Sequence, residues 1–312
     1  MSKAWEARRE RRFAPFFAVG SPEGFDAVWG GPLRLISDPN QAAGVFDEAL
    51  PIIRVDGCTR VEPGTPTIEG ARCTMEALEL AVGIARSGTA AALVTGPVSK
   101  AQLYAVGFTY PGQTEFVAER CGIAADMVAM MLLGPTLRTV PVTTHVALRD
   151  VPALLTIELI VSKGRVLIRG LRRHFGIERP RIVVAGLNPH AGESGALGRE
   201  EIEVVIPAIE RLREENAEIS GPHAPDTMFH AGMRAGYDAA LCLYHDQALV
   251  PLKTLHFEEG VNMTLGLPIL RTAPDHGTAF AIAGRNAADP GAMIAAIETA
   301  QTCALRAAEY SA

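Results

Sequence analysis

Three apolar runs in this chain each end in a histidine, and together they restrict the fold more than any other feature. They are Leu137–His145 (LRTVPVTTH), Arg181–His190 (RIVVAGLNPH) and Asp238–His245 (DAALCLYH). Each is rich in Val, Leu or Ile, the pattern of a strand buried on both faces in a parallel sheet. In open α/β sheets the ligand sits just beyond the carboxyl ends of the strands. Three imidazoles delivered to one such edge form a candidate metal site with open coordination positions. A single histidine is more often a satisfied structural residue; the same placement three times favours the site.

The rest of the chain alternates in the same way. Ala14 to Val19 and Ala90 to Thr95 read as strands. Thr74 to Ser87, Ala124 to Leu133 and Thr156 to Phe175 read as helices. Glu200 to Asn216 reads as a long helix, apolar at Ile202, Val205, Ile206, Ile209 and Leu212, with Pro207 set to kink it. Ala292 to Ala308 follows Pro290 and Gly291 as the closing helix. The alternation implies α/β layers around a mostly parallel sheet. Loops rich in Gly, Pro, Asn and Ser gather at Gly57–Thr67, Asn188–Gly198 and Ser220–Asp226.

Composition excludes some functions. At 312 residues the chain can bury a large core and divide into two lobes. A net charge of -6 argues against non-specific nucleic-acid binding. The mixed run Glu6 to Arg12 reads as a solvated helix face. No apolar stretch has the length of a membrane span and no segment reads as a secretory signal. Five cysteines, Cys58, Cys73, Cys121, Cys242 and Cys303, are an odd number without paired spacing, read as reduced thiols of a cytoplasmic protein. No Walker-type loop and no G-x-G-x-x-G after a strand is found; Gly192, Gly195 and Gly198 have the wrong spacing. A nucleotide cofactor would not be held in the Rossmann manner.

Several polar segments are candidates for chemistry. Thr95–Lys100 follows a strand and opens a helix, so it is either an anion site with Ser99 and Lys100 or a plain turn. Thr114, after Pro111-Gly-Gln113, is a candidate helix N-cap or a ligand contact. Asn188–Glu193 packs His, Asn and Glu into a tight loop. Asp226 is an Asx-turn residue or a carboxylate near the metal. Lys253 and Arg271, with Asn262 between them, lie in apolar context, which favours a phosphate or carboxylate clamp over surface solvation. The loop Ala273–Asn286 is rich in small residues, suited to a flat ligand or to a tight core turn.

Taken together the segments VTGPVSK, TEFVAER, TTHVALRDV, GLNPHAGE, APDTMF, YHDQALVPLK, GVNMTLGLPILRT and DHGTAFAIAGR, in order between residues 94 and 285, resemble the 4-hydroxythreonine-4-phosphate dehydrogenase family of pyridoxal phosphate biosynthesis. The resemblance implies an α/β, two-lobed fold like that of isocitrate and isopropylmalate dehydrogenases. Residues 1–112 and 250–312 would form a discontinuous NAD-binding lobe, and 113–249 the metal, substrate and dimerisation lobe. It implies NAD, with NADP possible, held by His276, Gly277, Thr278, Ala279 and Asn286. It implies a divalent metal (zinc, magnesium or cobalt) on His145, His190 and His245, one of them supplied by the partner subunit of a homodimer. Gln113, Thr114, Lys253, Asn262 and Arg271 would contact substrate. Asp246 is the first choice for general base and Asp226 the second, either being equally able to orient a histidine; Lys253 is a further catalytic candidate.

The implied reaction is oxidation of 4-phosphohydroxy-L-threonine to 2-amino-3-oxo-4-phosphooxybutanoate, which loses carbon dioxide to give 3-amino-2-oxopropyl phosphate. Alternatives are a dehydrogenase of phosphothreonate, phosphoerythronate or a dihydrodiol, a metal-dependent hydrolase, or a non-catalytic homologue. The chain departs from the family pattern twice. Gln113 stands where the family usually has histidine, and glutamine cannot carry a proton or charge. The family's opening strand and its Gly-Asp-Pro-Ala-Gly-Ile-Gly-Pro-Glu type loop are missing, so Met1 is expected to be an internal or misassigned start, leaving an open sheet edge.

Overall fold

A computed structural model of the chain describes residues 1–57 and 62–311. Its strands are β1 Ala18–Gly20, β2 Leu33–Leu35, β3 Leu50–Arg54, β4 Leu93–Val94, β5 Ala129–Gly134, β6 Leu137–Pro141, β7 Arg181–Ala185, β8 Glu218–His223, β9 Ala239–Cys242, β10 Val261–Leu265 and β11 Arg271–Pro274. The chain divides into two compact units, Met1–Cys121 with Pro268–Thr302, and Gly122–Leu267 with Cys303–Ala312.

In the first unit β1, β3 and β2 form a parallel ladder with β3 in the middle, and β4 pairs in parallel with β11. Trp5, Phe13, Phe46 and Leu50 pack with Met293, Ile294 and Ile297 of the closing helix Gly291–Ser311. Trp5 donates its indole N–H to the Phe46 carbonyl at 2.9 Å, so burial of the large ring leaves no polar atom unmet. The helix Ile68–Arg86 starts where Thr67 turns extended and accepts the Gly70 N–H on its hydroxyl at 3.0 Å. Its start precedes the expected one because this cap lies seven residues before the apolar period becomes regular at Thr74. The strand expected over Ala14 to Val19 forms only from Ala18, since Phe13 and Phe16 turn inward to stack edge-on instead.

In the second unit β6, β9 and β7 are neighbours and run parallel, with β8 beyond β7. β5 joins antiparallel to β6, and β10 antiparallel to β5. The sheet is therefore mixed at one side and parallel where the histidine-bearing strands lie. The helix Ile157–Phe175 covers it, burying Ile160, Val166, Leu167, Ile168 and Leu171. Each such side chain withdrawn from water contributes about 1.5–3 kcal/mol. Thr156 caps its start and Gly176, at φ 66, ends it in the left-handed conformation that suits glycine. Gly164 lets the helix close on Leu212, where a Cβ would stand 2.5 Å from Leu212 Cδ1.

Three expectations are corrected here. Ala124 to Leu133 is not a helix. A short 3-10 turn at Ala125–Met127 gives way to β5, whose Ala129, Met131 and Leu132 are buried between two strands. Ala, Met and Leu favour helix locally, but a run with no polar face is stabilised by burial on both sides of a sheet. Glu200 to Asn216 is not one regular helix: Glu201–Val205 is a π turn and the α-helix spans Ile206–Leu212. Pro207 lacks the N–H that a continuous α-helix would use, and the wider turn absorbs the break. Ser220 to His223 lies in β8 rather than in a loop.

Cys121, Cys242 and Cys303 are free thiols, but Cys73 is disulfide-bonded, which corrects the expectation of reduced thiols throughout. Cys58 and part of the expected loop Gly57–Thr67 lie outside the described residues. Among the described residues no helix is long and apolar enough to cross a membrane.

Candidate active site

The parallel strands β6, β9 and β7 end at Pro141, Cys242 and Ala185, so His145, His245 and His190 each follow a strand end by three to five residues. The ring centres of His145 and His245 are 5.5 Å apart. Two imidazoles on one divalent ion, each nitrogen about 2.0–2.1 Å from it at a tetrahedral angle, have ring centres about 5 Å apart. His245 Nδ1 lies 2.8 Å from Asp246 Oδ1. A carboxylate only accepts, so the proton sits on Nδ1 and Nε2 is left as the donor atom for a cation. This pair fits a divalent metal. His190 is exposed and starts a turn in which His190, Ala191, Gly192, Glu193 and Ser194 all have φ between 43 and 79. Among the described residues no three His, Cys, Asp or Glu side chains form a metal-sized group, so His190 is not brought into the pair within one chain.

The same unit carries three further expected residues, Asp226, Lys253 and Asn262. Asp226 is exposed in the first turn of the short helix Pro225–Met228, whose N-cap is Ala224. Lys253 lies in the helix His245–His256, with its ammonium 5.4 Å from the centre of the Phe257 ring. Asn262, on β10, has a buried Oδ1 without a hydrogen-bond partner. Such an atom costs roughly 1–3 kcal/mol until a ligand or water donates to it.

In the first unit Arg271 is 4% exposed on β11. Its Nη2 donates to Thr95 Oγ1 at 2.7 Å and to Gln113 Oε1 at 3.5 Å. Gln113 in turn donates its Nε2 to the Gly96 carbonyl at 3.0 Å. Burial draws the Arg271 guanidinium down to about 10 and Glu115 pulls the other way, so it stays charged at neutral pH. Gly112, not Thr114, is the N-cap of the helix Gln113–Arg120, and Thr114 lies in its first turn. The expected loop of small residues is folded: His276 Nδ1 donates to the Gly277 carbonyl at 2.9 Å, and Ala279 and Asn286 are left-handed. Lys3 holds its far end through the carbonyls of Asn286 and Ala288, both at 2.8 Å. Beside it lies a cavity of about 270 Å³ lined by Thr67, Thr74, Ser99, Gln102, Thr278 and Phe280. Pro66, Ala71, Pro97, Val98 and Leu103 complete a lining that is mostly apolar, with a few hydroxyl and amide groups set in it.

Two participants carry no expectation from sequence, Thr95 as the partner of Arg271 and the buried Glu201 behind the His190 turn. The one available signal for Glu201 was an acidic doublet, Glu200-Glu201, inside an apolar helical period.

A family model described as Pyridoxal phosphate biosynthetic protein PdxA matches residues 19–300. The 4-hydroxythreonine-4-phosphate dehydrogenase of Zymomonas mobilis subsp. mobilis is 54% identical over 311 residues, covering 100% of this chain and 93% of that protein. The crystal structure of 4-hydroxythreonine-4-phosphate dehydrogenase from Klebsiella pneumoniae matches with a TM-score of 0.82 at 36% identity, covering 92% of this chain and 88% of that one. A terephthalate 1,2-cis-dihydrodiol dehydrogenase from Burkholderia xenovorans matches less well, with a TM-score of 0.62 at 29% identity over 86% of this chain and 82% of that one. With a family match over most of its length and relatives of this identity along all of it, the chain belongs to the PdxA family of pyridoxal phosphate biosynthetic proteins.

Proposed function

We propose that the chain is a 4-hydroxythreonine-4-phosphate dehydrogenase, oxidising 4-phosphohydroxy-L-threonine with NAD and a divalent metal. The product, 2-amino-3-oxo-4-phosphooxybutanoate, then loses carbon dioxide to give 3-amino-2-oxopropyl phosphate for pyridoxine 5'-phosphate biosynthesis. The observation that carries this reading is 54% identity along the whole chain to a protein of that activity. The structure supports it with a buried arginine and a histidine pair spaced for a cation.

His145, His190 and His245 would hold the metal, and His276–Ala279 with Asn286 the cofactor. When bound, these groups supply Lewis acidity at the substrate hydroxyl and a hydride acceptor. The protein's own residues do the rest. Asp246 keeps His245 in the tautomer that presents Nε2. Arg271, already charged and fixed by Thr95, would anchor an anionic group of the substrate, with Lys253 as a second cation. Asn262 Oδ1 would accept a hydrogen bond from a substrate hydroxyl or ammonium. Asp246 and Asp226 are the candidates for taking the hydroxyl proton, and Asp246 stands against a proposed ligand. Gln113 and Thr114 would complete the substrate contacts.

A homodimer with one histidine contributed by the partner subunit is part of the proposal, as is a cytoplasmic location. Exposed apolar side chains flank both outer histidines: Val146, Leu148 and Leu154 after His145, and Leu197, Ile202 and Ile206 after His190. Leu148 is 67% exposed, a surface that association would cover.

A second reading, a dehydrogenase of another phosphorylated hydroxy acid, rests on Gln113. Its amide, engaged with Gly96 and Arg271, does not titrate and so cannot shuttle protons as a histidine could. Steady-state rates of NADH formation on 4-phosphohydroxy-L-threonine and on phosphothreonate decide between them. A higher kcat/KM on the first supports the proposal, and a higher one on the second replaces it.

A further inference from the structure

The carboxyl ends of the histidine-bearing strands are tied together by buried polar groups that the proposed chemistry does not use. Gln247 is 6% exposed. Its Oε1 accepts the Leu243 N–H at 2.7 Å, two residues before His245. Its Nε2 donates to the Gly186 carbonyl at 2.8 Å, at the start of the loop that carries His190. The Leu243 carbonyl accepts from the Thr143 hydroxyl at 2.8 Å, two residues before His145. One amide therefore links the ends of β9 and β7, and a hydroxyl links β6 to β9. Only a side chain with both a donor and an acceptor can fill the Gln247 position.

Glu201 continues the frame. It is 2% exposed, at the start of the π turn. Its Oε1 accepts from Leu187 N at 2.8 Å and Asn188 N at 2.7 Å, and its Oε2 from Asn188 Nδ2 at 3.0 Å. These bonds fix the two residues ahead of Pro189 and His190. A left-handed run at non-glycine residues is costly and persists only where its surroundings hold it. A Cβ on Gly192 would stand 2.6 Å from Glu201 Oε2, so the turn is wrapped tightly on this carboxylate.

We infer that Gln247 and Glu201 are positioning residues that set His190 and His245 for metal binding through the backbone of the β7 and β9 ends. The inference rests on the metal reading above. It is tested on the full-length protein, stripped of metal, by titration with Co²⁺ followed by calorimetry and by the cobalt visible spectrum. The variants are Gln247→Met, Glu201→Ala and Glu201→Gln, with His190→Ala and His245→Ala as controls, each with a thermal midpoint.

Gln247→Met and Glu201→Ala are expected to weaken Co²⁺ binding about 10- to 100-fold and to shift the spectrum. Glu201→Gln, which keeps an acceptor for the two backbone N–H groups, is expected to recover most of the affinity. Unchanged affinity and spectrum in the folded variants, even with a lowered midpoint, would make both residues purely structural and overturn the inference. Should Gln247→Met not fold, the Glu201 pair decides alone by the presence or absence of rescue. If the histidine controls also bind like wild type, the metal reading itself fails and the inference falls with it.

Discussion

His174 sits on the inner face of the helix Ile157–Phe175, 4% exposed, with Nδ1 buried and without a partner. Burial, with Arg173 adding like charge, depresses its folded pKa from 6.5 to about 4. The unfolded chain takes up this proton near pH 6.5 while the folded chain does not until about pH 4. The stabilisation is therefore complete above the unfolded value and is lost as pH falls through the folded one. A gap of 2.5 units between those values corresponds to about 3 kcal/mol in full, of which about 2 kcal/mol is lost between pH 8 and pH 5. The perturbation is His174→Phe, which removes the titrating group. The assay is urea unfolding of both proteins at pH 8 and pH 5, comparing the change in unfolding free energy within each. The wild type is expected to lose about 2 kcal/mol more than the variant over that interval. Equal losses in the two proteins would refute the assignment of a buried neutral imidazole.

Other outcomes follow from the packing and the site. Arg271→Lys keeps the charge but gives up the planar fork; kcat/KM on the phosphorylated substrate is expected to fall about 10- to 100-fold, read by initial rates. Asp246→Asn, which removes the carboxylate from His245 Nδ1, is expected to lower metal affinity about tenfold or more in a competitive chelator titration. Gly164→Ala places a Cβ 2.5 Å from Leu212 and is expected to destabilise by about 1–3 kcal/mol, measured by denaturant midpoint. Thr67→Ala removes the cap on the Gly70 N–H and is expected to cost about 1 kcal/mol in the same assay.

The parallel strands that carry the histidines were legible because burial on both faces leaves a continuous apolar run, and that pattern depends on few long-range details. The helix Ile157–Phe175 was legible for the same kind of reason, with a capping threonine at one end and Gly176 at the other. β5 was not, because Ala129–Leu133 favours helix locally and only its place between two strands decides otherwise. The π turn at Glu201–Val205 was visible only as a misplaced proline.

At the site, residue types with a strong chemical bias stood out: histidines at strand ends, and Arg271 in apolar context. Their supports did not. Gln247 bonds to a carbonyl 61 residues away, and Glu201 to backbone N–H groups across a loop, partners that no local spacing reveals. The left-handed turn from His190 to Ser194 was equally hidden, since only Gly192 in it is a residue that favours such φ values.

The most direct test of the central claim is NADH formation by the purified protein with NAD and 4-phosphohydroxy-L-threonine, before and after metal removal by a chelator. The account expects NADH to appear, to stop on chelation, and to return when zinc, magnesium or cobalt is restored. NADH formation that continues after all divalent metal is removed, or none from folded, metal-loaded protein, would contradict it.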